Sequence, residues 1–187
     1  MMALGIDFRV HAANVSESAK EGETPEEVAL RLCLQKATAV ANDYPAEWVL
    51  GGDTLVTIDG DILGKPKDEL EAVRTLMRLR GRTHRVVSAL ALVGPKWRSS
   101  PVPTFTGTQV TAVTFRPFGV ETAQAYVRTG EPSDKAGAYG IQGKGATLVD
   151  RVDGDYTGVV GLPVPLLMNL LEEAGRPYSF SPSDTGD

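Results

Sequence analysis

Apolar residues recur along the chain with two periodicities, one typical of amphipathic helices and one typical of strands. The first long helix is predicted to begin after Thr24, because Thr24 can act as N-cap, Pro25 suits the first turn and Glu27 completes a capping box. A second helix is predicted between Asp68 and Gly81, where an apolar stripe follows a capping aspartate. Two further helices are predicted over residues 120–129 and 164–174.

Apolar and β-branched runs predict the strands. The near-continuous apolar run "HRVVSALALV" is typical of a strand at the centre of a sheet. Asp59-Gly60 lies between two short apolar runs and predicts a β-hairpin. Polar loops are expected over residues 14–22 and 94–106. The predicted strands cover residues 5–10, 48–50, 55–58, 62–63, 84–93 and 108–118.

The order of these elements is mixed and predicts an α/β fold. No linker is long enough to separate two domains, so residues 1–187 are expected to form one domain with a frayed polar tail at 179–187. Residues 130–160 are dense in glycine. This segment either brings backbone N–H groups close to a ligand or forms tight turns between short strands, and composition leaves both interpretations open.

Composition and charge narrow the classes of function. The net charge of −5 gives no general basic field for nucleic acid, so an anionic ligand would need locally placed cations. Cys33 is the only cysteine, which excludes a disulfide framework and a thiolate zinc site. No apolar run approaches a membrane span and the N-terminal residues do not resemble a signal peptide, so we expect a cytoplasmic protein.

Three charged residues stand in apolar or constrained settings. Lys36 falls on the apolar stripe of the first helix, so its ammonium group must reach solvent or find an anion. Asp53 follows two glycines at the end of an apolar run, and Lys65 lies between glycine and proline at the end of the predicted hairpin. If the three converge, the ammonium groups could bind phosphates, and the carboxylate could activate water or hold a divalent ion. Spacing alone leaves open a solvent-directed Lys36 and a turn-capping Asp53.

Several long motifs, in order, resemble the Maf (septum-formation inhibitor) family. They are "GGDTLVTIDGDILGKPKDELEA", "LRGRTHRVVSALALV", "TAVTF" and "GEPSDKAGAYGIQGKGATLVDRVDGDYTGVVGLP", and the resemblance runs from about Gly5 to Gly175. It implies a fold similar to inosine-triphosphate pyrophosphatases, with a mixed central sheet, flanking helices and two lobes around a cleft. It also implies a homodimer that hydrolyses nucleoside triphosphates to monophosphate and pyrophosphate with a divalent cation, Mg²⁺ or Mn²⁺.

The same resemblance implies roles for the charged residues. Asp53 in "GGDT" matches the proton acceptor, while Lys36 in "LQKATAV" and Lys65 in "LGKP" match phosphate contacts. Glu17 in "NVSES" matches an acidic position that helps to hold metal or water, and Asp53 would be the second metal ligand.

Two polar residues match positions that the family ties to substrate choice, Thr54 and Gln142. The sequence "YGIQG" resembles the branch of the family that prefers dTTP and UTP. A glutamine amide both donates and accepts hydrogen bonds, which suits the edge of thymine or uracil.

The beginning of the chain departs from the family pattern. The family opens with a strand and a Ser-x-Ser-x-Arg-Arg loop that contacts the triphosphate, whereas "ALGIDFRV" matches the segment just after that region. Loss of that region would leave a sheet strand unpaired and remove phosphate contacts. Two explanations stay open: the reading frame begins upstream, which we favour, or the chain is a catalytically weak nucleotide-binding regulator of cell division.

Overall fold

The structure is a computed structural model that describes residues 4–96 and 101–180. The strands are β1 (Val49–Ile58), β2 (Asp61–Leu63), β3 (Thr83–Val93), β4 (Thr104–Phe115) and β5 (Val149–Asp153). The α-helices are α1 (Pro25–Asp43), α2 (Glu69–Leu79), α3 (Val120–Val127), α4 (Tyr156–Val160) and α5 (Val164–Glu173).

The strands form one sheet in the order β2-β1-β3-β4-β5, and every pair in the described part of the chain is antiparallel. The sheet is flanked by helices, which confirms the predicted α/β class; a mixed sheet was expected, and the described strands make an antiparallel one. β3 lies at the centre, as its apolar run predicts. The β1–β2 hairpin is also confirmed, because Asp59 and Gly60 both adopt the positive φ that a tight hairpin turn requires.

Helix α1 covers one face of the sheet. Its small buried residues Ala29, Cys33 and Ala37 pack against the odd-numbered residues of β3. The approach is closest at Gly51 of β1, where an added Cβ would lie 2.8 Å from the Ala37 backbone nitrogen. Only glycine fits such a contact. Two separate strands were predicted over 48–50 and 55–58, and this prediction is wrong because the glycines that interrupt the apolar pattern belong to one continuous strand.

The opposite face carries two separate apolar clusters. One lies at the α5 end of the sheet, and the other packs α2, α3 and the glycine-dense segment against the far end. Between them, Gly52 is exposed and Thr54 is half-buried on β1. The gap is consistent with the expected cleft. The first cluster centres on Leu90, Leu92, Leu167 and Leu170, and the second on Leu76, Leu79, Val113, Phe115 and Leu148.

The predicted helix starts are confirmed in atomic detail. Thr24 and Glu27 form the capping box, and the Asp68 carboxylate accepts a hydrogen bond from the Glu71 amide at 2.7 Å. Among the described residues, no helix is both long enough and apolar enough to cross a membrane. Parts of the predicted 94–106 loop and of the 179–187 tail, namely residues 97–100 and 181–187, lie outside the described residues.

The strand predicted over residues 5–10 is wrong. These residues have no regular secondary structure, because they have no ladder partner within the described part of the chain. The segment is tied down instead by side chains. Tyr178 donates to the Leu4 carbonyl at 2.9 Å, and Arg9 lies 3.1 Å from Glu47.

The glycine-dense segment folds into three short 3₁₀ helices, β5 and α4. Gly137 adopts φ +68° and packs against Val56 of β1, where an added Cβ would lie 2.8 Å from a methyl group. Its amide donates to the Gly64 carbonyl at 3.2 Å. At this point glycine therefore serves close packing, which favours the turn interpretation of the segment.

His84 makes stability depend on pH. Its ring is 1% exposed, its Nε2 lies 2.8 Å from the Tyr139 hydroxyl, and burial lowers its pKa from 6.5 to about 4. Below pH 6.5 the His84 imidazole becomes protonated in the unfolded chain, whereas in the folded chain it stays neutral down to about pH 4. We therefore expect this group to lower the free energy of unfolding by up to about 3 kcal/mol as pH falls to the folded pKa.

Urea unfolding at several pH values checks this prediction. His84→Gln keeps a polar partner for Tyr139 but removes the titrating group, so its acid loss of stability should be smaller than that of the natural chain. If the free energy of unfolding falls equally steeply between pH 6.5 and 4 in the natural chain and in His84→Gln, the assignment is contradicted.

Candidate active site

A partly buried ion cluster forms where α1 crosses β1. The Lys36 ammonium lies 2.7 Å from Asp53 Oδ1 and 2.7 Å from Glu17 Oε1. Lys36 reaches β1 because the glycine at position 51 lets α1 approach closely. Of the two interpretations left open by spacing, the structure therefore favours an anion partner for Lys36 over simple extension into solvent.

One oxygen of Asp53 is left without a partner. The side chain is 9% exposed, and its Oδ2 is buried with no hydrogen bond among the described residues. Leaving such an atom unpaired costs about 1–3 kcal/mol. An unpaired buried carboxylate oxygen beside an ammonium group is suited to receive a water molecule, a metal ion or a proton.

The pKa values of the two carboxylates shift in opposite directions. Burial raises the pKa of Asp53, and the hydrogen bond from Lys36 offsets this effect only in part. The hydrogen bond from Lys36 lowers the pKa of Glu17, which is more exposed. Burial alone would lower the pKa of Lys36, but its bonds to both carboxylates outweigh burial and raise it. Asp53 is thus the more basic of the two carboxylates.

Lys65 is exposed just beyond β2. Its positive charge is close enough to contribute to a lower pKa of Glu17 and to oppose the burial effect on Asp53. The preceding Gly64 carbonyl is bonded to the Gly137 amide, which anchors the hairpin end to the glycine-dense segment. The structure therefore brings the three charged groups predicted from the sequence, and Glu17, into one region.

Thr54 lies on the other face of β1. Its side chain projects away from α1, and its Oγ1 lies 3.1 Å from the Ser88 hydroxyl on β3. A cavity of about 690 Å³ reaches both faces at the edge of β1, since its lining includes Lys36, Gly52 and Leu167. A ligand in this cavity could therefore contact Lys36 and, beside Gly52, the opposite face of the sheet.

Gln142 is exposed in a bend of the glycine-dense segment. No hydrogen bond among the described residues links it to Asp53, Lys36 or Glu17.

A carboxylate fixes the bend that carries Gln142. Glu131 accepts hydrogen bonds from the amides of Lys144 at 2.8 Å and Gly145 at 2.9 Å, and from the Tyr126 hydroxyl at 2.8 Å. The Tyr126 oxygen in turn accepts from the Gly140 amide at 3.0 Å. Both sides of the bend are therefore held by one connected network.

Sequence reasoning missed three residues of this region. Ser88 is the single hydroxyl residue inside the apolar run of β3, a signal that could have marked it. Glu131 lies at the start of the glycine-dense segment, but the backbone amides that it binds are 13 and 14 residues away. Nothing in the local pattern pointed to Tyr126.

The donor set fits a divalent cation that shares its coordination with a ligand. The described residues contain no group of three or more His, Cys, Asp or Glu side chains suited to a metal. Among the residues that the structure describes, Asp53 Oδ2 has no partner, and Glu17 contributes a second carboxylate nearby. One or two carboxylates plus phosphate oxygens is the arrangement that Mg²⁺ commonly adopts.

We expect Glu131→Gln to loosen the bend. An amide side chain accepts fewer hydrogen bonds and places an N–H group against a backbone N–H group, and bonds to a charged acceptor contribute about 1.5–3 kcal/mol. Hydrogen exchange at the Lys144 and Gly145 amides should become about tenfold faster. Glu69→Gln, at an exposed position of α2, is the matched control. Unchanged exchange in Glu131→Gln would contradict the role.

Comparison with known proteins places the chain in a family. It matches the family model "Maf-like protein" over residues 1–174. It is 44% identical to the dTTP/UTP pyrophosphatase of Desulfotalea psychrophila over 90% of this chain and 84% of the relative. It is 45% identical to that of Symbiobacterium thermophilum, over 93% and 87%, and to that of Bacillus velezensis, over 91% and 87%. The resemblance seen in the sequence is confirmed: the chain belongs to the Maf-like protein family.

Proposed function

We propose that this protein is a nucleoside triphosphate pyrophosphatase that prefers dTTP and UTP. The observation that carries the proposal is the ion cluster, in which Lys36 is held between two carboxylates while Asp53 Oδ2 has no hydrogen-bond partner in the described part of the chain. The names of the relatives, dTTP/UTP pyrophosphatases, support the substrate class. The reaction adds water across the bond between the α- and β-phosphates and yields a nucleoside monophosphate and pyrophosphate.

Asp53 acts as the general base in this proposal. Lys36 occupies Oδ1, so Oδ2 is the atom that takes the proton from the attacking water. Burial raises the pKa of Asp53 and so makes it a better proton acceptor than an ordinary aspartate. The water oxygen forms the new bond to phosphorus, and the electrons of the broken bond leave with pyrophosphate.

Lys36 and Lys65 bind the triphosphate. A polyanion that approaches two carboxylates meets repulsion, and the two ammonium groups counter it. Lys36 keeps part of its side chain exposed, at 21%, and Lys65 is exposed. Lys36 can therefore reach a phosphate oxygen without leaving the cluster, and Lys65 can reach one from the end of the hairpin.

A divalent cation, Mg²⁺ or Mn²⁺, would be held by Glu17 together with phosphate oxygens, and Asp53 would assist through the water molecule that it deprotonates, because Lys36 occupies its other oxygen. When bound it would supply charge neutralisation and lower the pKa of a coordinated water molecule. Glu17 suits this position because its pKa is lowered, which keeps it ionised.

Three further expectations from the sequence stay predictions. They are a homodimer, a cytoplasmic location and a single domain over residues 1–187.

Thr54 and Gln142 contact the base in this proposal. Thr54 lies beside the exposed Gly52 on the face opposite the ion cluster. The edge cavity, whose lining includes Lys36 and Gly52, gives a nucleotide room to place its phosphates near Lys36. Gln142, at the bend fixed by Glu131, supplies a second polar contact.

Turnover tests the function directly. The protein should release pyrophosphate from dTTP and UTP with Mg²⁺ or Mn²⁺, faster than from dCTP. Asp53→Asn should lose about 10²- to 10⁴-fold in kcat, since an amide cannot accept the proton. Asp61→Asn, an exposed carboxylate of the same hairpin, is the matched control.

Two results would contradict parts of this proposal. An unchanged rate in Asp53→Asn would reject the role of Asp53 as base. Nucleotide binding without pyrophosphate release by the natural chain would contradict the enzyme and favour a nucleotide-binding regulator.

The acid limb of the rate profile should follow the pKa of Asp53. Because burial raises that pKa, kcat/KM should begin to fall at a higher pH than an ordinary aspartate would give. Lys36→Met removes the cation that opposes the shift, so the limb should move to still higher pH. Lys67→Met, an exposed lysine of the next loop, should leave the limb in place. A limb at lower pH in Lys36→Met would contradict the assignment.

A further inference from the structure

A chain of hydroxyl groups leads from Thr54 into the core. Thr54 Oγ1 lies 3.1 Å from Ser88 Oγ, and Ser88 Oγ lies 2.7 Å from the Gly158 carbonyl oxygen. Ser88 is 1% exposed, whereas Thr54 is half-buried at the cleft. Of the hydroxyl groups in this row, only that of Thr54 can therefore contact a ligand in the cleft.

The direction of these hydrogen bonds is fixed by the last acceptor. A carbonyl oxygen can only accept, so the single Ser88 hydroxyl proton points to Gly158. Ser88 then has no proton for Thr54, and the Thr54 hydroxyl must be the donor in the bond between them. With its proton committed to the core, Thr54 offers only lone pairs to the cleft.

The fold holds each member of this chain in place. Thr54 and Ser88 are directly opposite in the β1–β3 register. The Gly158 carbonyl belongs to α4, whose capping residue Asp155 accepts from the Thr157 amide at 2.8 Å. Asp155 is also tied to β4, since its amide donates to the Thr111 hydroxyl at 3.0 Å and its carbonyl accepts from that hydroxyl at 3.1 Å. The acceptor cannot turn away without breaking these contacts.

A hydroxyl that only accepts selects among pyrimidines. On the polar edge of thymine and uracil the single N–H donor is N3–H, which lies between two carbonyl oxygens. In cytosine the same ring nitrogen is an acceptor, and the donor on this edge is the 4-amino group instead. Cytosine seated like thymine would therefore face the Thr54 lone pairs without a proton between them, and it could pair with Thr54 only by shifting its ring. A site that leaves buried polar groups unpaired rejects the wrong ligand strongly.

We propose that Ser88 is a positioning residue that fixes the Thr54 hydroxyl as an acceptor and thereby selects triphosphates whose base carries N3–H. This inference rests on the proposed function, and it assigns to a fully buried serine part of the discrimination between thymine or uracil and cytosine. Ser88 acts only through Thr54 and touches no substrate.

The ratio of kcat/KM for dTTP to that for dCTP measures this role. In Ser88→Ala the Thr54 proton loses its partner and can turn towards the cleft, so the ratio should fall about tenfold. In the Thr54→Val background, Ser88→Ala should leave the ratio unchanged, because the group through which Ser88 acts is absent. Thr83→Val, which removes a 2.8 Å hydroxyl pair elsewhere on β3, is the matched control.

A substrate analogue tests the same contact without altering the protein. The natural chain should turn over N3-methyl-dTTP at least tenfold less efficiently than dTTP. Equal efficiency would overturn the proposal. So would an unchanged dTTP/dCTP ratio in Ser88→Ala, an equal loss for both substrates, or the same effect of Ser88→Ala with and without Thr54.

These outcomes are separate from failure of the proposed function. If the natural chain releases no pyrophosphate, calorimetric binding of dTTP and dCTP to the same variants gives the ratio instead. A tenfold fall in the binding ratio for Ser88→Ala would then support the role of Ser88 although the enzyme proposal had failed. Binding of neither nucleotide by the natural chain would overturn both.

Discussion

The close approach of α1 to β1 at Gly51 is the constraint on which the candidate site depends. The absent side chain lets the Cys33–Ala37 turn of the helix rest on the strand backbone. That contact places Lys36 within 2.7 Å of Asp53, two residues further along β1. A side chain at position 51 would push the helix outward, and a lysine on a displaced helix would leave Asp53 buried without its cation.

Strand β1 divides two kinds of recognition between its faces. Adjacent residues of a strand point to opposite sides, so Asp53 joins the charged cluster beneath α1 while Thr54 joins the hydroxyl chain beneath α4. The exposed Gly52 leaves the edge open between them. One short motif can therefore contribute contacts to both the anionic and the neutral parts of a nucleotide.

Local patterns predicted what depends on local forces. The capping box of α1, the Asp68 cap of α2 and the Asp59-Gly60 hairpin were predicted correctly because their contacts lie within a few residues. The strand expected at residues 5–10 failed, since pairing depends on a partner that sequence pattern does not reveal. Lys36 and Asp53 were singled out as charges in apolar settings, but their convergence required the packing of α1 on β1. The Ser88–Gly158 contact spans 70 residues and left no local signal except one hydroxyl in an apolar run.

The two faces of β1 differ in how completely their polar groups are satisfied. In the hydroxyl chain every proton has an acceptor, so its burial costs little and its geometry is rigid. In the ion cluster one carboxylate oxygen is buried and unpaired, which costs stability and raises the pKa of Asp53. That imbalance is what a proton-accepting group requires, because a carboxylate with both oxygens fully bonded would be a weaker base. The rigid face is therefore suited to selection, and the unsatisfied face to chemistry.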